Sequence, residues 1–257
     1  MVEGNRIENA GVISIVGMGP GDGAFLTGQA RDAIESADVV VGYTLYTKLL
    51  AETYPEKEYR STGMKQEIER CRLCFQLAAE GKNVALICSG DAGVYGMASP
   101  TLELAGEYPE VEIVVVPGIT AALSGGAVLG APLGHDFAVI SLSDLLTPWE
   151  VIERRLRAAC NGDFVTVLYN PSSHKREDYL ERAIDILLNE GMSPDTATGY
   201  VENIGREGTH SYVCSLSELK SQRVNMFTTV FIGNSNTYME NGRLITPRGY
   251  KEKHRGE

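Results

Sequence analysis

The feature that most constrains this chain is an alternation. Short apolar, β-rich runs each end in a turn of glycine or other small and polar residues, and helical periodicity separates them. Val12 to Val16 breaks at Gly17-Met-Gly-Pro-Gly-Asp22, and Val39 to Val41 ends at Gly42-Tyr43. Asn83 to Cys88 runs into Ser89-Gly90-Asp91, and Val111 to Val116 closes on Pro117-Gly118. Between them Leu26, Ala30, Ala33, Ile34 and Ala37 recur at helical spacing, as do Ile68, Cys71, Phe75 and Ala78. Continuously apolar strands separated by helices predict a parallel sheet with helices on its faces. Ligands of such sheets sit beyond the carboxyl ends of the strands, which is where these turns fall.

Four further strands are expected after Pro117-Gly118, at Phe137 to Leu142, Phe164 to Leu168, Thr196 to Val201 and Thr228 to Ile232. Helices are expected at Pro148 to Ala159 and Asp178 to Glu190. The predicted fold is therefore α/β, with two α/β domains and a cleft between them. Residues 11–118 form the first, with a mostly parallel sheet, and residues 119–250 the second, with a mixed sheet.

Composition narrows the function classes. A chain of 257 residues that is 43% hydrophobic and 22% charged can bury a core and is not disordered. A net charge of −11 argues against a general nucleic-acid binder, which needs clustered Lys and Arg to displace counterions. No run of about 18 apolar residues predicts a membrane span, and MVEGNRIENA lacks the apolar stretch of a signal peptide. The expectation is a soluble, cytoplasmic protein. Five cysteines, an odd number, argue against a disulfide framework. Cys71 and Cys74 form one C-x2-C pair without a second pair to complete a metal site, so no metal is expected. Core packing or a redox role remains open for them.

The Gly17–Asp22 turn stands where a dinucleotide loop would, yet its spacing is G-x-G-x-G rather than G-x-G-x-x-G. Pro20 offers no N–H, and Asp22 puts a carboxylate at the start of the next helix, suited to capping and repulsive to phosphate. The second strand ends without the acid that would hold a ribose. Ser89 to Gly96 is more informative, because its small residues let a ligand approach the backbone closely. Its Asp91 suits the ammonium or hydroxyl groups of a small molecule, or else caps the next helix. Thr120-Ala121 and Tyr169-Asn170-Pro171 add further turns of the kind that wall an apolar pocket.

These motifs together resemble the tetrapyrrole (precorrin) methylases: GMGPGD at 17–22, SGDAGVYGM at 89–97, PGITAA at 117–122, GHDFAVISLSDLLTPW at 134–149, LYNPSS at 168–173, GREGT at 205–209 and GNSNTYMENGRLITPRGY at 233–250. The SGDAGVYGM, GHDF and ITPRGY variants are similar to one subgroup, the precorrin-3B C17-methyltransferases of cobalamin biosynthesis, which includes enzymes acting on cobalt-factor III. The resemblance implies a homodimer that binds S-adenosylmethionine in the interdomain cleft and a tetrapyrrole in an adjoining trough. It implies donor contacts at Pro20, Gly90, Asp91, Val94, Tyr95, Thr120, Ala121, Asn170, Thr228 and either Gly199 or Tyr200. Where relatives acting at other ring positions read GDP, this chain has Asp91-Ala92, a departure that bears on which carbon is methylated.

Methylation at C17 coupled to ring contraction needs proton handling, for which His135 and Asp136 are the expected pair; a structural loop histidine is the other reading. Gly19, Lys175, Arg176 and Arg206 are the expected substrate contacts, with Tyr95 and Tyr169 as further candidates. An anionic tetrapyrrole requires local positive charge, and charge divides unevenly. Residues 1–129 hold 17 acids and 9 bases, and residues 130–257 hold 17 and 14. The Arg154-Arg155-Arg157 cluster is expected on a solvated helix face. Two rival classes are a nicotinamide-dependent oxidoreductase and a non-catalytic tetrapyrrole carrier.

Overall fold

The structure, a computed structural model, describes residues 10–21, 23–173 and 176–250. The chain forms two compact units, one ending at Thr120 and the other beginning at Ala121.

In the first unit the elements follow as β1 (Val12–Gly17), α1 (Gly28–Ser36), β2 (Val39–Tyr43), α2 (Thr44–Ala51), β3 (Glu58–Thr62), α3 (Glu67–Ala79), β4 (Val84–Cys88), α4 (Ala98–Leu104) and β5 (Glu112–Val116). The five strands make one fully parallel sheet in the order β3-β2-β4-β1-β5. Burial on both faces explains the unbroken apolar runs of β2 and β4, whereas Val114 and Val115 of the edge strand β5 are exposed. Ile13, Val39, Val41 and Leu86 pack with Cys71, Phe75 and Ala78 of α3, while Val16, Val40 and Ile87 pack with Ala30 and Ile34 of α1. Each such fully buried aliphatic contributes about 1.5–3 kcal/mol. Helix α1 is capped by Thr27, whose side chain accepts from the Ala30 N–H at 3.1 Å. The cap was expected at Asp22, which lies outside the described residues. A 3-10 turn at Gly23–Phe25 intervenes, so the helix starts later and uses the nearer hydroxyl.

The second unit contains α5 (Ala121–Leu129), β6 (Gly130–Ala131), β7 (Phe137–Ser141), α6 (Trp149–Asn161), β8 (Val165–Tyr169), α7 (Tyr179–Asn189), β9 (Ala197–Glu202), β10 (His210–Ser215), α8 (Leu216–Leu219), β11 (Thr228–Ile232), β12 (Tyr238–Glu240) and β13 (Arg243–Ile245). Its main sheet runs β10-β9-β11-β8-β7. Strands β7 and β8 are parallel and the remaining pairings antiparallel, so the sheet is mixed. Leu156, Ile184, Leu187 and Leu216 cover one face, and α5 covers the other through Ala122 and Leu129 against Val167, Val201 and Phe231. A small sheet, β12-β13-β6, joins the end of α5 to the carboxyl-terminal hairpin.

Candidate functional site

In the first unit the ends of β4, β1 and β5, adjacent in the sheet, carry three turns that interlock through backbone. Gly19 donates to the Gly90 carbonyl at 3.0 Å and accepts from the Gly90 N–H at 2.7 Å, which forms an isolated antiparallel bridge. Both residues have positive φ, 76° and 69°, where glycine carries no Cβ penalty. Close approach also dictates Gly17 and Gly118. A Cβ on Gly118 would lie 2.1 Å from the Gly90 oxygen and 2.5 Å from the Gly17 oxygen.

Asp91 completes the lock. One carboxylate oxygen accepts from the Gly118 N–H at 2.9 Å and the other from the Gly93 N–H at 2.8 Å. Its first task is therefore to tie the turn after β4 to the turn after β5, leaving only its second lone pairs for a ligand. Gly19, expected as a substrate contact, is buried and commits its N–H and its carbonyl to Gly90. The same bridge explains why this turn is no pyrophosphate cradle: the neighbouring turn already fills it. Pro20 is buried, whereas Gly90, Asp91, Val94 and Thr120 are half-buried and Tyr95 is 58% exposed. Tyr95 has φ 54°. An aromatic residue in that region costs about 1–3 kcal/mol and is characteristic of functional turns.

The second unit presents another row of strand ends. Register places Ser141 beside Tyr169 in the parallel pair. Val230 opposite Leu168 then brings Thr228, at the start of β11, level with Asn170 and paired with Glu202. The loop leaving Glu202 carries Arg206, whose guanidinium lies 5.4 Å over the Phe227 ring. Asn170 (φ 53°) donates its side-chain amide to Ser141 at 3.0 Å. Thr228 is buried and closes a turn with Asn225, whose N–H donates to its hydroxyl. Arg176 is engaged with its neighbours, donating to Ser143 at 2.8 Å, Asp144 at 3.2 Å and Ser173 at 3.0 Å. Tyr179 donates to the other Asp144 oxygen at 2.6 Å. The Tyr179 hydrogen bond, aided by the Arg176 charge, holds the Asp144 carboxyl below the usual carboxylate range. Lys175 lies outside the described residues.

Two expected roles receive a structural account. Tyr169 accepts the Ala122 N–H at 2.7 Å, so its phenol caps the first turn of α5, where Ala121 also sits. Gly199 lies in the buried middle of β9, where a Cβ would stand 3.2 Å from Leu129 and 3.0 Å from the Tyr212 carbonyl; the close approach of α5 requires glycine there.

His135 and Asp136 precede β7 and are 58% and 79% exposed. They do touch: the Asp136 N–H donates to Nδ1 of His135 at 2.9 Å, and the Asp136 carboxylate lies 3.3 Å from the same nitrogen. A clamp on the preceding segment fixes their position. The Thr246 hydroxyl donates to the Pro132 carbonyl at 2.6 Å, and a Cβ on Gly134 would fall 2.2 Å from the Thr246 carbonyl oxygen. Ser141 and Asn170 lie at the far end of β7 and β8, with Ser141 about 16 Å from Asp136 at ~3.3 Å per residue.

Cys71 and Cys74 are fully buried in the core, and burial pushes both thiols up. That answers the open question in favour of packing, since a reactive thiol needs exposure and a depressed pKa. Among the described residues no cluster of His, Cys, Asp and Glu could hold a metal ion. No described helix is long and apolar enough to cross a membrane. Asp144, Ser141 and Tyr179 lie in segments that drew attention in the sequence, but their bracing role depends on β7 and β8 being neighbours, which no local pattern announces.

The known proteins this chain resembles agree with that architecture. The tetrapyrrole (corrin/porphyrin) methylase profile matches residues 12–220. A probable cobalt-factor III C(17)-methyltransferase of Salmonella typhimurium is 47% identical over 93% of this chain and 99% of its own length. A probable enzyme of the same name from Methanocaldococcus jannaschii is 39% identical over 95% and 100%. Among solved structures, the methyltransferase CobJ superposes with a TM-score of 0.85 at 35% identity, covering 93% of this chain and 100% of that one. Uroporphyrin-III C-methyltransferase from Thermus thermophilus, complexed with S-adenyl homocysteine, gives 0.68 at 26% identity over 87% and 97%. By the extent of the profile match and the identity of full-length relatives, the chain belongs to the tetrapyrrole (corrin/porphyrin) methylases.

Proposed function

We propose that this protein is an S-adenosylmethionine-dependent C-methyltransferase acting at C17 of precorrin-3B or cobalt-factor III. The reaction would be coupled to ring contraction in cobalamin biosynthesis. The observation that carries the reading is 47% identity, across nearly all of both chains, to a protein named for that reaction. The interlocked turns of the first unit fit such a donor: they offer backbone and small side chains at a strand end, with one carboxylate and little titratable chemistry. A bound S-adenosylmethionine supplies a methyl group already activated on its sulfonium. The chain's task is then to position two molecules, an effect worth up to about 7–11 kcal/mol. In this reading Pro20, Gly90, Val94, Tyr95, Thr120 and Ala121 shape the donor site, and Asp91 holds the turns in register while keeping lone pairs toward the donor's polar groups. Asn170 and Thr228 complete the donor set.

Arg206 faces the carboxylates of the tetrapyrrole, and Arg176 and Lys175 are further cations for them. His135 and Asp136 handle the proton that ring contraction requires. His135→Ala should then lower kcat by about 10²–10⁴ while leaving donor affinity unchanged.

Incubation with S-adenosylmethionine and either metal-free precorrin-3B or cobalt-factor III, followed by product mass analysis, tests the proposal. A product heavier by one methyl group and ring-contracted is expected. Thermal stabilisation by NADH, with none by S-adenosylmethionine, would defeat it in favour of an oxidoreductase. Binding of both ligands without turnover would favour a carrier.

A further inference from the structure

Arg70, in the first turn of α3, is 4% exposed and is the one arginine among the buried described residues. Its Nε donates to the Thr62 hydroxyl at 2.7 Å and one terminal nitrogen to the Gly63 carbonyl at 2.9 Å; the other meets the Met97 sulfur at 3.6 Å. Its partners are thus a hydroxyl, a carbonyl and a thioether, and among the described residues none is a carboxylate.

An internal cation of this kind is costly, and packing does not demand it: a neutral side chain would fill the volume without the desolvation penalty. Its position suggests what offsets that cost. Thr62 and Gly63 leave the end of β3, and Met97 closes the Ser89–Gly96 turn and precedes α4. One fork therefore links the loop after β3 to Met97, the residue that follows the turn holding Asp91. The buried Cys88 thiol senses both charges. Burial chiefly pushes it up, to about 11, and Asp91 and Arg70 then act on it in opposite directions.

We propose that Arg70 is a positioning residue of the methyl-transfer site, fixing the Ser89–Gly96 turn against the loop after β3 and setting a positive potential behind it. This rests on the methyl-donor reading above. Transfer converts a cationic sulfonium into a neutral sulfide, so a fixed cation nearby disfavours the donor relative to the product and favours the transfer. A purely structural arginine would have no such charge preference.

Titration calorimetry of the full chain with S-adenosylmethionine and S-adenosylhomocysteine separates the two roles. The wild-type protein should bind S-adenosylhomocysteine, whose sulfur is uncharged, more tightly. Arg70→Gln keeps an amide that can reach Thr62 or Gly63 but drops the charge, and should reduce that preference at least threefold. Arg70→Lys keeps the charge without the planar fork. It should retain the preference to within twofold while lowering kcat. Equal loss of preference in both variants, or its survival in Arg70→Gln, would overturn the charge-setting role. Should Arg70→Gln fail to fold, Thr62→Val, which removes one anchor and keeps the cation, must leave the preference intact and lower kcat for the proposal to stand. No binding of either ligand by the wild-type protein would instead overturn the methyl-donor reading and this proposal with it.

Discussion

Gly118→Ala is the sharpest test of the interlocked turns. The added Cβ would stand 2.1 Å from the Gly90 oxygen, 2.5 Å from the Gly17 oxygen and 2.6 Å from the Gly17 carbonyl carbon. Carbon and oxygen ordinarily stand at least about 3.3 Å apart, so the turns must separate by about 1 Å. Every clashing atom is backbone, so no side-chain rotation relieves the overlap. Overpacking of this sort costs about 1–3 kcal/mol. The same displacement stretches the Gly118 N–H bond to the Asp91 carboxylate, now 2.9 Å, and losing a charge-assisted bond costs about 1.5–3 kcal/mol more. The combined loss, about 2.5–6 kcal/mol, is a large share of a total stability of about 5–15 kcal/mol. It should lower the melting temperature by roughly 5–24 °C. Donor affinity should fall further than stability predicts, because the turns of β4, β1 and β5 move apart. Gly106→Ala is the control: nothing lies within 4 Å of its added Cβ, so the melting temperature should be nearly unchanged. Differential scanning calorimetry alongside donor titration reads both effects. A Gly118→Ala protein that melts and binds like wild type would refute the interlock.

Tyr169→Phe removes the acceptor at the start of α5 and should cost about 0.5–2 kcal/mol, read as a lower urea midpoint with an unchanged slope. The brace at Asp144 makes a pH prediction. Its carboxyl is held below the unfolded value of about 3.9, so its contribution is complete above that pH and is lost as pH falls through the lower folded value. The gap in urea midpoint between wild type and Asp144→Asn should therefore be constant from pH 7 to about 5 and close below about 4; a gap that widens on acidification would contradict the assignment. Iodoacetamide at pH 8 should leave Cys71, Cys74, Cys88 and Cys214 unmodified in the native protein and label all five cysteines after denaturation, as peptide mass mapping would show. Fast native labelling of Cys71 or Cys74 would restore the redox reading.

The first unit was largely legible because its central strands β2, β4 and β1 are buried on both faces. Val39 to Val41 and Val84 to Cys88 are apolar at every position, and such runs announce themselves without knowledge of their neighbours. Strand β3 was not found, because Glu58–Thr62 is an edge strand whose residues are largely exposed and polar. Strand β10, His210–Ser215, is exposed over its first half for the same reason, and β6, β12 and β13 are too short to carry a period. Helix α5 reads AALSGGAVL, with two glycines and hardly any amphipathic contrast, so only the sheet beneath it defines it as a helix. Fully apolar strands, in short, were visible, and elements defined by their neighbours were not.

The same distinction governs the site. The glycine turns were visible because glycine at a strand end is a local signal. What they do was not, since the Gly19–Gly90 bridge and the Gly118–Asp91 bond join residues 71 and 27 positions apart. Charge was harder still to assign from the chain alone. Arg176 and Arg206 each add one positive charge to the composition, yet Arg176 shares its donors with Asp144, Ser143 and Ser173 while Arg206 stacks over Phe227. A cation compensated by a neighbouring carboxylate does little to attract a distant polyanion, because the pair presents a dipole whose field falls off faster than that of a single charge. Local pairing, a tertiary property, therefore decides which bases can receive an anionic macrocycle on a protein of net charge −11. By that logic, Arg176→Gln should lower the melting temperature while leaving KM for the tetrapyrrole nearly unchanged, because its charge is already committed to Asp144. A clear rise in KM with unchanged melting would show that the Asp144 pair opens on substrate binding.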